Sequence, residues 1–359
     1  MELTNEQRIC MGIEPIDPAW DIVDLPNTTI GYTASRKVTL YFDGNVIRKE
    51  ILTDDGFYYE TTLHDETSDN RTMLCPKTNK GKPRKLTVSN LEKNTPQGVY
   101  FLYSEGYITI ANFTTQQTYY YSRFAGLAPM SENDVQKFLE QWILETDDAE
   151  LERINAFANA KRKHCKFKEG DFFRYKIDRT HYGYGRILLD MERMRKRGEK
   201  FWDILMGKPL VVSVYHIITD DPNVGIQELK KLKSCPSQHI FDNVFFYGEY
   251  EIIGFEELPD DVDYPIMYGR SISAIDRNKI IFQRGHLYKE IPLEDNHLAE
   301  DNFRNGGVGW GLKANKNILM ECIKENSNTP YWNLKTCCHD LRNPKFANEQ
   351  AQILKQMDI

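Results

Sequence analysis

The sequence has few of the features that mark the common classes of enzyme. It contains no HExxH pattern, no GxSxG nucleophile elbow and no glycine-rich loop that ends in Gly-Lys-Ser or Gly-Lys-Thr. A metal-dependent nuclease needs a second carboxylate two residues before its lysine, and before Lys279 that position is occupied by Arg277. We therefore expect a protein that binds rather than catalyses, and we predict no cofactor.

Paired cysteines are also missing. The seven cysteines are odd in number, scattered, and form no CxxC pair, which argues against a disulfide framework and against a structural zinc site. Cys337 and Cys338 precede His339, but neighbouring side chains on a helix or strand point in different directions, so no catalytic dyad is expected. No metal site is predicted. Isolated histidines in or beside predicted strands are expected to be hydrogen-bonded residues rather than ligands, and they are His181, His216 and His286.

Long apolar runs and a basic excess are absent as well. No stretch approaches 18 uninterrupted apolar residues, and the first ten residues are acidic and polar rather than those of a secretory signal. These features predict a protein of the reducing cytoplasm without a membrane partner. The net charge of −7 argues against a nucleic-acid partner and is compatible with a basic protein partner.

Aromatic and alternating segments dominate what is present. Short β-forming runs separated by Asp-Gly and Glu-Gly turns recur between residues 32 and 124, and further strands are predicted after residue 165, one of them over residues 244–249. Between them, Ser131 opens a capping box and a second helix is expected near Asp147. The pattern predicts an α+β, mostly β protein with two β-rich domains, the second a bent sheet or partly open barrel. The predicted parts are residues 1–130, a helical spacer over 131–164, a second β-rich domain over 165–300, and a glycine-rich loop with a helical tail over 301–359.

The most specific local pattern lies in residues 167–190, FKEGDFFRYKIDRTHYGYGRILLD. Gly170 and Asp171 directly precede a β-run and predict a tight turn, since glycine tolerates positive φ and aspartate bonds nearby backbone N–H groups. Glycines then alternate with tyrosines, which lets a neighbouring backbone or ligand approach one face of the strand. Gly183 and Gly185 are the structural residues of this strand, and its candidate contact residues are Tyr182, Tyr184 and Arg186.

The stretch GDFFRYKIDRTHYGYGRIL resembles the opening of the immunity protein 26 family of bacterial polymorphic-toxin systems. The resemblance covers residues 167–293, about a third of the chain. It implies a mostly β domain in a cytoplasmic protein that binds and neutralises a cognate toxin without catalysis. The chain departs from the family pattern by a long basic insert over residues 191–206, and its first 130 residues resemble no family that we can name.

An acidic loop and a tryptophan complete the predicted contact surface. The acidic cluster is interpreted either as a solvated loop or as a face that attracts a basic toxin, for example a nuclease domain. Trp310, in a glycine-rich stretch, is either a core residue or an anchor for the partner. The acidic residues are Glu256, Glu257, Asp260, Asp261 and Asp263.

The alternative hypothesis uses the basic run Arg-Met-Arg-Lys-Arg at residues 193–197. In that case the protein would be a nucleic-acid or carbohydrate binding module, or an uncharacterised nuclease. Salt dependence separates the two hypotheses, since affinity for nucleic acid falls steeply as salt is added.

Overall fold

The computed structural model describes residues 1–29, 35–76, 80–198, 207–271, 278–293, 311–337 and 339–359. The chain divides into two compact units, Met1–Lys163 and His164–Ile359. Both units combine open sheets with helices, and strands outweigh helices, which confirms the predicted α+β, mostly β fold. Among the described residues, no sheet closes into a barrel.

The first unit is built on one antiparallel sheet in which consecutive strands are mostly neighbours. Its order is β1-β2-β3-β4-β7-β8-β9, and a two-stranded hairpin of β5 and β6 interrupts the chain between β4 and β7. Both faces of the sheet carry buried residues, because neighbouring residues of one strand, such as Leu40 and Tyr41, belong to different hydrophobic clusters. The strands are β1 (Asp21–Thr29), β2 (Ser35–Asp43), β3 (Val46–Asp54), β4 (Phe57–Glu66), β5 (Met73–Leu74), β6 (Arg84–Lys85), β7 (Gln97–Ser104), β8 (Tyr107–Asn112) and β9 (Gln117–Tyr121).

Helices cover this sheet, and the two predicted helices begin where the sequence indicates. Ser131 caps α3 (Glu132–Leu144) in a reciprocal capping box with Asp134, and Asp147 caps α4 (Asp148–Ala158), so both predicted starts are confirmed. Trp142 and Ile154 belong to the same buried cluster as strand residues of the first unit. These helices were predicted as a spacer, but their apolar faces are buried on the sheet and they lie within the first unit. The shorter helices are α1 (Asn5–Ile9) and α2 (Val88–Leu91).

A cluster of charged side chains is buried inside the first unit. The Glu60 carboxylate accepts hydrogen bonds from Arg8 Nε at 2.8 Å and Nη2 at 3.0 Å and from the Tyr58 hydroxyl at 2.7 Å. The ammonium of Lys49 lies 3.0 Å from the same carboxylate, and the side chains of Glu60 and Lys49 are both 0% exposed. Burial acts to raise the pKa of Glu60, but the charges of Lys49 and Arg8 outweigh it and lower that pKa. This one carboxylate therefore pairs with two buried cations and offsets the charge of one of them.

The second unit contains a five-stranded antiparallel sheet in the order β13-β12-β11-β10-β14. Strand β11 lies at its centre between β10 and β12, and β13 and β14 form the edges. Seven consecutive residues of β11, from Gly183 to Leu189, are buried, so both of its faces are covered. The strands are β10 (Asp171–Lys176), β11 (Tyr182–Asp190), β12 (Pro209–Val214), β13 (Gln238–Phe241) and β14 (Glu251–Phe255).

A second sheet and the helical C-terminal segment complete this unit. Met267 and Ile281 of the three-stranded sheet pack with Leu189 and Val211 of the larger one, and the last helix covers the other face. The strands are β15 (Ile266–Arg270), β16 (Lys279–Arg284) and β17 (Leu287–Pro292). The helices are α5 (Met191–Lys196), α6 (Ile226–Leu229), α7 (Asn243–Phe246), α8 (Lys316–Glu325), α9 (Thr329–Trp332) and α10 (Ala347–Gln356). In the part of the chain that the structure describes, no helix has the length and apolar character needed to cross a bilayer.

The strand predicted over residues 244–249 is wrong. This stretch begins as helix α7, and its Phe245 ring packs edge-on against Phe173 at 5.0 Å and Tyr250 at 5.5 Å. A single helical turn brings Phe245 into this aromatic cluster, where its side chain is 1% exposed. Tertiary packing here outweighs the β-preference of an aromatic run.

An ion pair between Lys316 of α8 and Asp178 joins this helix to the loop between β10 and β11. We expect this pair to make the free energy of unfolding depend on pH. Burial acts to raise the pKa of the Asp178 carboxyl, but Lys316 and the N–H groups of Thr180 and His181 lower it to about 2. A depressed folded pKa contributes stability above the unfolded value of 3.8, and this contribution is lost as pH falls through the folded pKa. We expect Asp178→Asn to reduce the free energy of unfolding by about 2 kcal/mol at pH 7 and by much less near pH 2.

Urea unfolding of the two chains at both pH values checks this expectation. Asp220→Asn, an exposed aspartate in the same unit, is the matched control and should change stability by less than about 0.5 kcal/mol. An equal loss for Asp178→Asn at both pH values would contradict the assignment.

Candidate protein-binding site

The alternation of tyrosine and glycine in β11 serves ring packing between strands. Gly183 and Gly185 lie opposite Tyr175 and Phe173 of β10. A Cβ atom on Gly183 would lie 2.4 Å from the Tyr175 ring, and one on Gly185 would lie 2.3 Å from the Ser213 carbonyl oxygen and 2.4 Å from the Phe173 ring. Rings from the neighbouring strand therefore fill the space that side chains at these two positions would take. The close approach that the glycines allow is used by core residues of the protein itself.

The Gly170-Asp171 turn brings the start of β10 against the acidic loop, which we define as residues 256–263. Gly170 has a φ of +91°, and a Cβ there would lie 2.4 Å from the Glu256 carbonyl oxygen. The Asp171 carboxylate accepts a hydrogen bond from the Lys168 backbone N–H at 2.8 Å, and burial raises its pKa. The Glu256 N–H donates to the Gly170 carbonyl at 3.3 Å, so the turn also anchors the beginning of the acidic loop.

The two predicted contact tyrosines have different environments. Tyr184 is 0% exposed, and its hydroxyl donates to the Asp221 carbonyl at 2.7 Å and accepts from the Val224 N–H at 3.3 Å. Tyr184 therefore supports the site from within the core and is not exposed to a partner. Tyr182 is half-buried at the start of β11, with the Arg174 guanidinium 5.8 Å from its ring centre. Part of its ring remains accessible to a partner.

Arg186 connects the β11 strand to the acidic loop. Its side chain is buried over the Phe172 ring, 4.6 Å from the ring centre, and Nη2 donates to the carbonyl oxygens of Glu256 at 2.6 Å and Glu257 at 2.8 Å. Hydrogen bonds from a charged donor are stronger than those from a neutral one. Arg186 thus holds the backbone of the acidic loop in place, and the two groups of residues predicted from the sequence form one assembly.

The five acidic side chains divide into two that form ion pairs, of which Asp263 is also exposed, and three that are exposed without an ion-pair partner in the described residues. Glu256 binds the Lys230 ammonium at 2.7 Å, and Asp263 accepts hydrogen bonds from the Ser237 N–H at 2.9 Å and from Arg342 Nη1 at 2.8 Å. The others have no ion-pair partner within the described ranges, and they are Glu257, Asp260 and Asp261. The paired acids fix the ends of the loop, and the exposed ones present negative charge to solvent.

Phe255 lies directly before these acids and was not predicted as a site residue. It ends the edge strand β14, its side chain is 46% exposed, and the Lys168 ammonium lies 3.3 Å from its ring centre. An exposed aromatic ring beside uncompensated charge has the character of an interface anchor. No signal for this residue was present in the sequence, because exposure of an aromatic ring is decided by the fold. Trp310, the anchor predicted from the sequence, lies outside the described residues.

Nearby acids offset part of the charge of the basic run at residues 193–197. Asp190 caps α5, and Arg195 and Lys196 lie 3.6 and 3.7 Å from the Glu192 carboxylate. Arg193 lies 3.8 Å from Glu169. A groove for nucleic acid needs uncompensated positive charge, and these ion pairs reduce the amount that the helix offers.

Two further groups in the second unit have side chains capable of chemistry, namely the stretch around Cys337 and a separate histidine–cysteine group. Asp340 is 1% exposed and pairs with Arg342 at 2.8 Å, so it is not available to orient His339, and Cys338 lies outside the described residues. His216, Cys235 and Cys322 bring three potential metal-ligand atoms within 4.8 Å of one another. Their separation along the chain hid this group from sequence reasoning.

Comparison with known proteins gives one match, on the second unit. No curated protein and no solved structure matches the chain. The segment that carries the β10–β11 hairpin, Arg186 and the acidic loop does match a family model. Residues 168–289 match the family described as Immunity protein 26, which confirms the resemblance carried by the Gly170-Asp171 turn and the Tyr-Gly strand.

Proposed function

We propose that this protein is a cytoplasmic immunity protein that binds a cognate polymorphic toxin and neutralises it by steric and electrostatic occlusion, without catalysis. The observation that carries the proposal is the family match over residues 168–289. The geometry of the same segment supports it, because exposed acids and an aromatic ring lie together on a backbone held by Arg186.

The acidic loop is the proposed contact surface. The three exposed carboxylates attract a basic toxin domain, such as a nuclease domain with a positive substrate surface, and raise the association rate. Phe255 and the exposed part of Tyr182 supply apolar contacts that slow dissociation. A loop fixed at Gly170, Arg186 and Arg342 loses little conformational entropy on binding.

A charge-neutralised variant tests this surface. Glu257→Gln, Asp260→Asn and Asp261→Asn together should lower the association rate for the toxin about tenfold at low ionic strength, with a smaller effect at high salt. Sequencing the neighbouring genes identifies the probe: a C-terminal toxin domain encoded directly upstream would be produced in inactivated form, and surface plasmon resonance would measure the rates. Wild-type binding should be nanomolar or tighter.

The matched control removes the same charge from the first unit. Glu92→Gln, Glu140→Gln and Glu152→Gln neutralise three exposed acids there and should leave the association rate within about twofold of wild type. An equal effect of both triple variants would reject the acidic loop as the contact surface. Failure of the wild-type chain to bind the toxin, together with salt-sensitive retardation of generic DNA or RNA, would favour the alternative through the basic run.

A further inference from the structure

Three metal-ligand side chains converge from three separate segments of the second unit. His216 directly follows the end of β12, and Cys235 lies in a later segment that is hydrogen-bonded to this part of the chain. The His216 N–H donates to the Lys233 carbonyl and the Cys235 N–H donates to the Val214 carbonyl, both at 2.8 Å. Cys322 comes from α8, after the end of the matched family segment. Their side-chain nitrogen and sulfur atoms all lie within 4.8 Å of one another. Cys235 is 1% and Cys322 0% exposed.

The hydrogen bonds of His216 leave one lone pair of its imidazole ring free. Asn328 donates its amide N–H to the Ser234 carbonyl at 3.1 Å, which leaves its Oδ1 oxygen to accept from His216 Nε2 at 2.9 Å. Nε2 therefore carries the proton and Nδ1 does not. Nδ1 is buried and has no hydrogen-bond partner among the described residues. Metal-binding histidines commonly have this arrangement, in which the second ring nitrogen donates to a fixed acceptor.

We propose that His216, Cys235 and Cys322 bind a zinc ion. Two thiolates and one neutral imidazole are the ligand types that zinc prefers, and water completes the tetrahedron. With Zn–S near 2.3 Å and Zn–N near 2.1 Å, ligand atoms lie about 3.5–3.8 Å apart, so a group whose ligand atoms all lie within 4.8 Å of one another needs to contract by at most about 1 Å.

Charge and protons balance at this site. Each thiol loses its proton to solvent as its sulfur binds the ion, so two protons are released per zinc, and the dication with two thiolates is neutral overall. A neutral complex can be buried at far smaller cost than an isolated ion. Zinc also satisfies the Nδ1 lone pair, which a disulfide between Cys235 and Cys322 would leave unpaired.

Zinc at this position would join the C-terminal helical segment to the family-matched sheet. Cys322 and Asn328 belong to the segment after residue 311, whereas His216 and Cys235 belong to the matched domain. The Lys233 ammonium already donates to the Asn326 carbonyl at 2.8 Å across the same contact. Zinc binding should therefore stabilise the second unit and protect α8 from hydrogen exchange.

Metal content and spectroscopy of the full chain test the proposal. The reduced protein, purified without chelator from cells grown in zinc-supplemented medium, should contain about one zinc ion per chain, as measured by inductively coupled plasma mass spectrometry. After removal of zinc, added Co²⁺ should produce the near-ultraviolet thiolate-to-cobalt absorption typical of cysteine ligands. A reduced, folded wild-type chain with no bound zinc and no cobalt–thiolate band would overturn the proposal, as would a Cys235–Cys322 disulfide found in the freshly purified chain.

Matched variants locate the site. His216→Gln and Cys322→Ser should weaken zinc binding at least tenfold in competition with a chromophoric chelator, and Asn328→Ala, which removes only the outer hydrogen bond, should weaken it about 10–100-fold. Cys165→Ser makes the same thiol-to-hydroxyl change at a half-buried cysteine of this unit and should retain wild-type affinity. Unchanged affinity in His216→Gln or Cys322→Ser would reject these ligands. The wild-type cobalt spectrum remains a decisive measurement if a variant does not fold.

Discussion

Gly185→Ala is expected to destabilise the second unit by at least about 3 kcal/mol. The new Cβ atom would lie 2.3 Å from the Ser213 carbonyl oxygen, a backbone atom of the neighbouring strand, and 2.4 Å from the buried Phe173 ring. Strand β12 is paired with β11 through this region, so relieving the contact would displace hydrogen-bonded backbone. Overpacking of a rigid site typically costs 1–3 kcal/mol, and a backbone clash places this position at the upper end or above.

Hydrogen exchange measured by mass spectrometry on the full chain gives the clearest readout. Peptides from residues 164–359 should lose protection, whereas peptides from residues 1–163 should keep it. Gly311→Ala is the matched control, since a Cβ there meets no atom of the described residues within 4 Å, and we expect it to change stability by less than about 0.5 kcal/mol. Wild-type protection in the β11 peptides of Gly185→Ala would show that the ring and carbonyl can move at little cost.

Glu60→Gln is expected to destabilise the first unit by about 3–5 kcal/mol. The substitution preserves shape but removes the carboxylate that pairs with both Arg8 and Lys49, and all three side chains are at most 3% exposed. Removing one partner of a buried ion pair leaves an uncompensated charge, which is the costly case. Urea unfolding, with hydrogen exchange to assign the loss to residues 1–163, measures the effect.

Lys49→Met distinguishes charge imbalance from a general intolerance of substitution. Burial lowers the pKa of Lys49, which shows that its charge is disfavoured at this place. Without it, Arg8 and Glu60 remain as a neutral pair joined by two hydrogen bonds. We expect Lys49→Met to change stability by less than about 1 kcal/mol, or to increase it. Equal losses for Glu60→Gln and Lys49→Met would contradict the assigned role of Glu60.

Features that depend on neighbouring residues in the chain were predicted correctly. The caps at Ser131 and Asp147 start α3 and α4, because an N-cap interacts only with the next three residues. The Tyr-Gly strand and the turn before it also carried the family resemblance that the comparison confirms. By contrast, residues 244–246 form a helix because Phe245 packs against residues of other segments.

The candidate site also combines features that the sequence predicts with features that only folding decides. The acidic residues were evident from the sequence, but their different roles depend on Lys230 and Arg342, which lie far away in the chain. Likewise, Arg186 could be proposed as a contact residue, whereas its hydrogen bonds to the Glu256 and Glu257 carbonyls required the loop and the strand to be placed together. Phe255 was overlooked because exposure of an aromatic ring is a property of the folded surface.

Composition, strand periodicity, helix starts and family resemblance are thus contained in the sequence, because each depends on residue type and on short separations along the chain. The balance of charge around Glu60, the division of the acidic loop into paired and exposed residues, and the meeting of His216, Cys235 and Cys322 arise only on folding. These features join residues that are distant in the chain, and their energies depend on burial and on separations of a few ångströms. Such separations are set by packing of the whole unit.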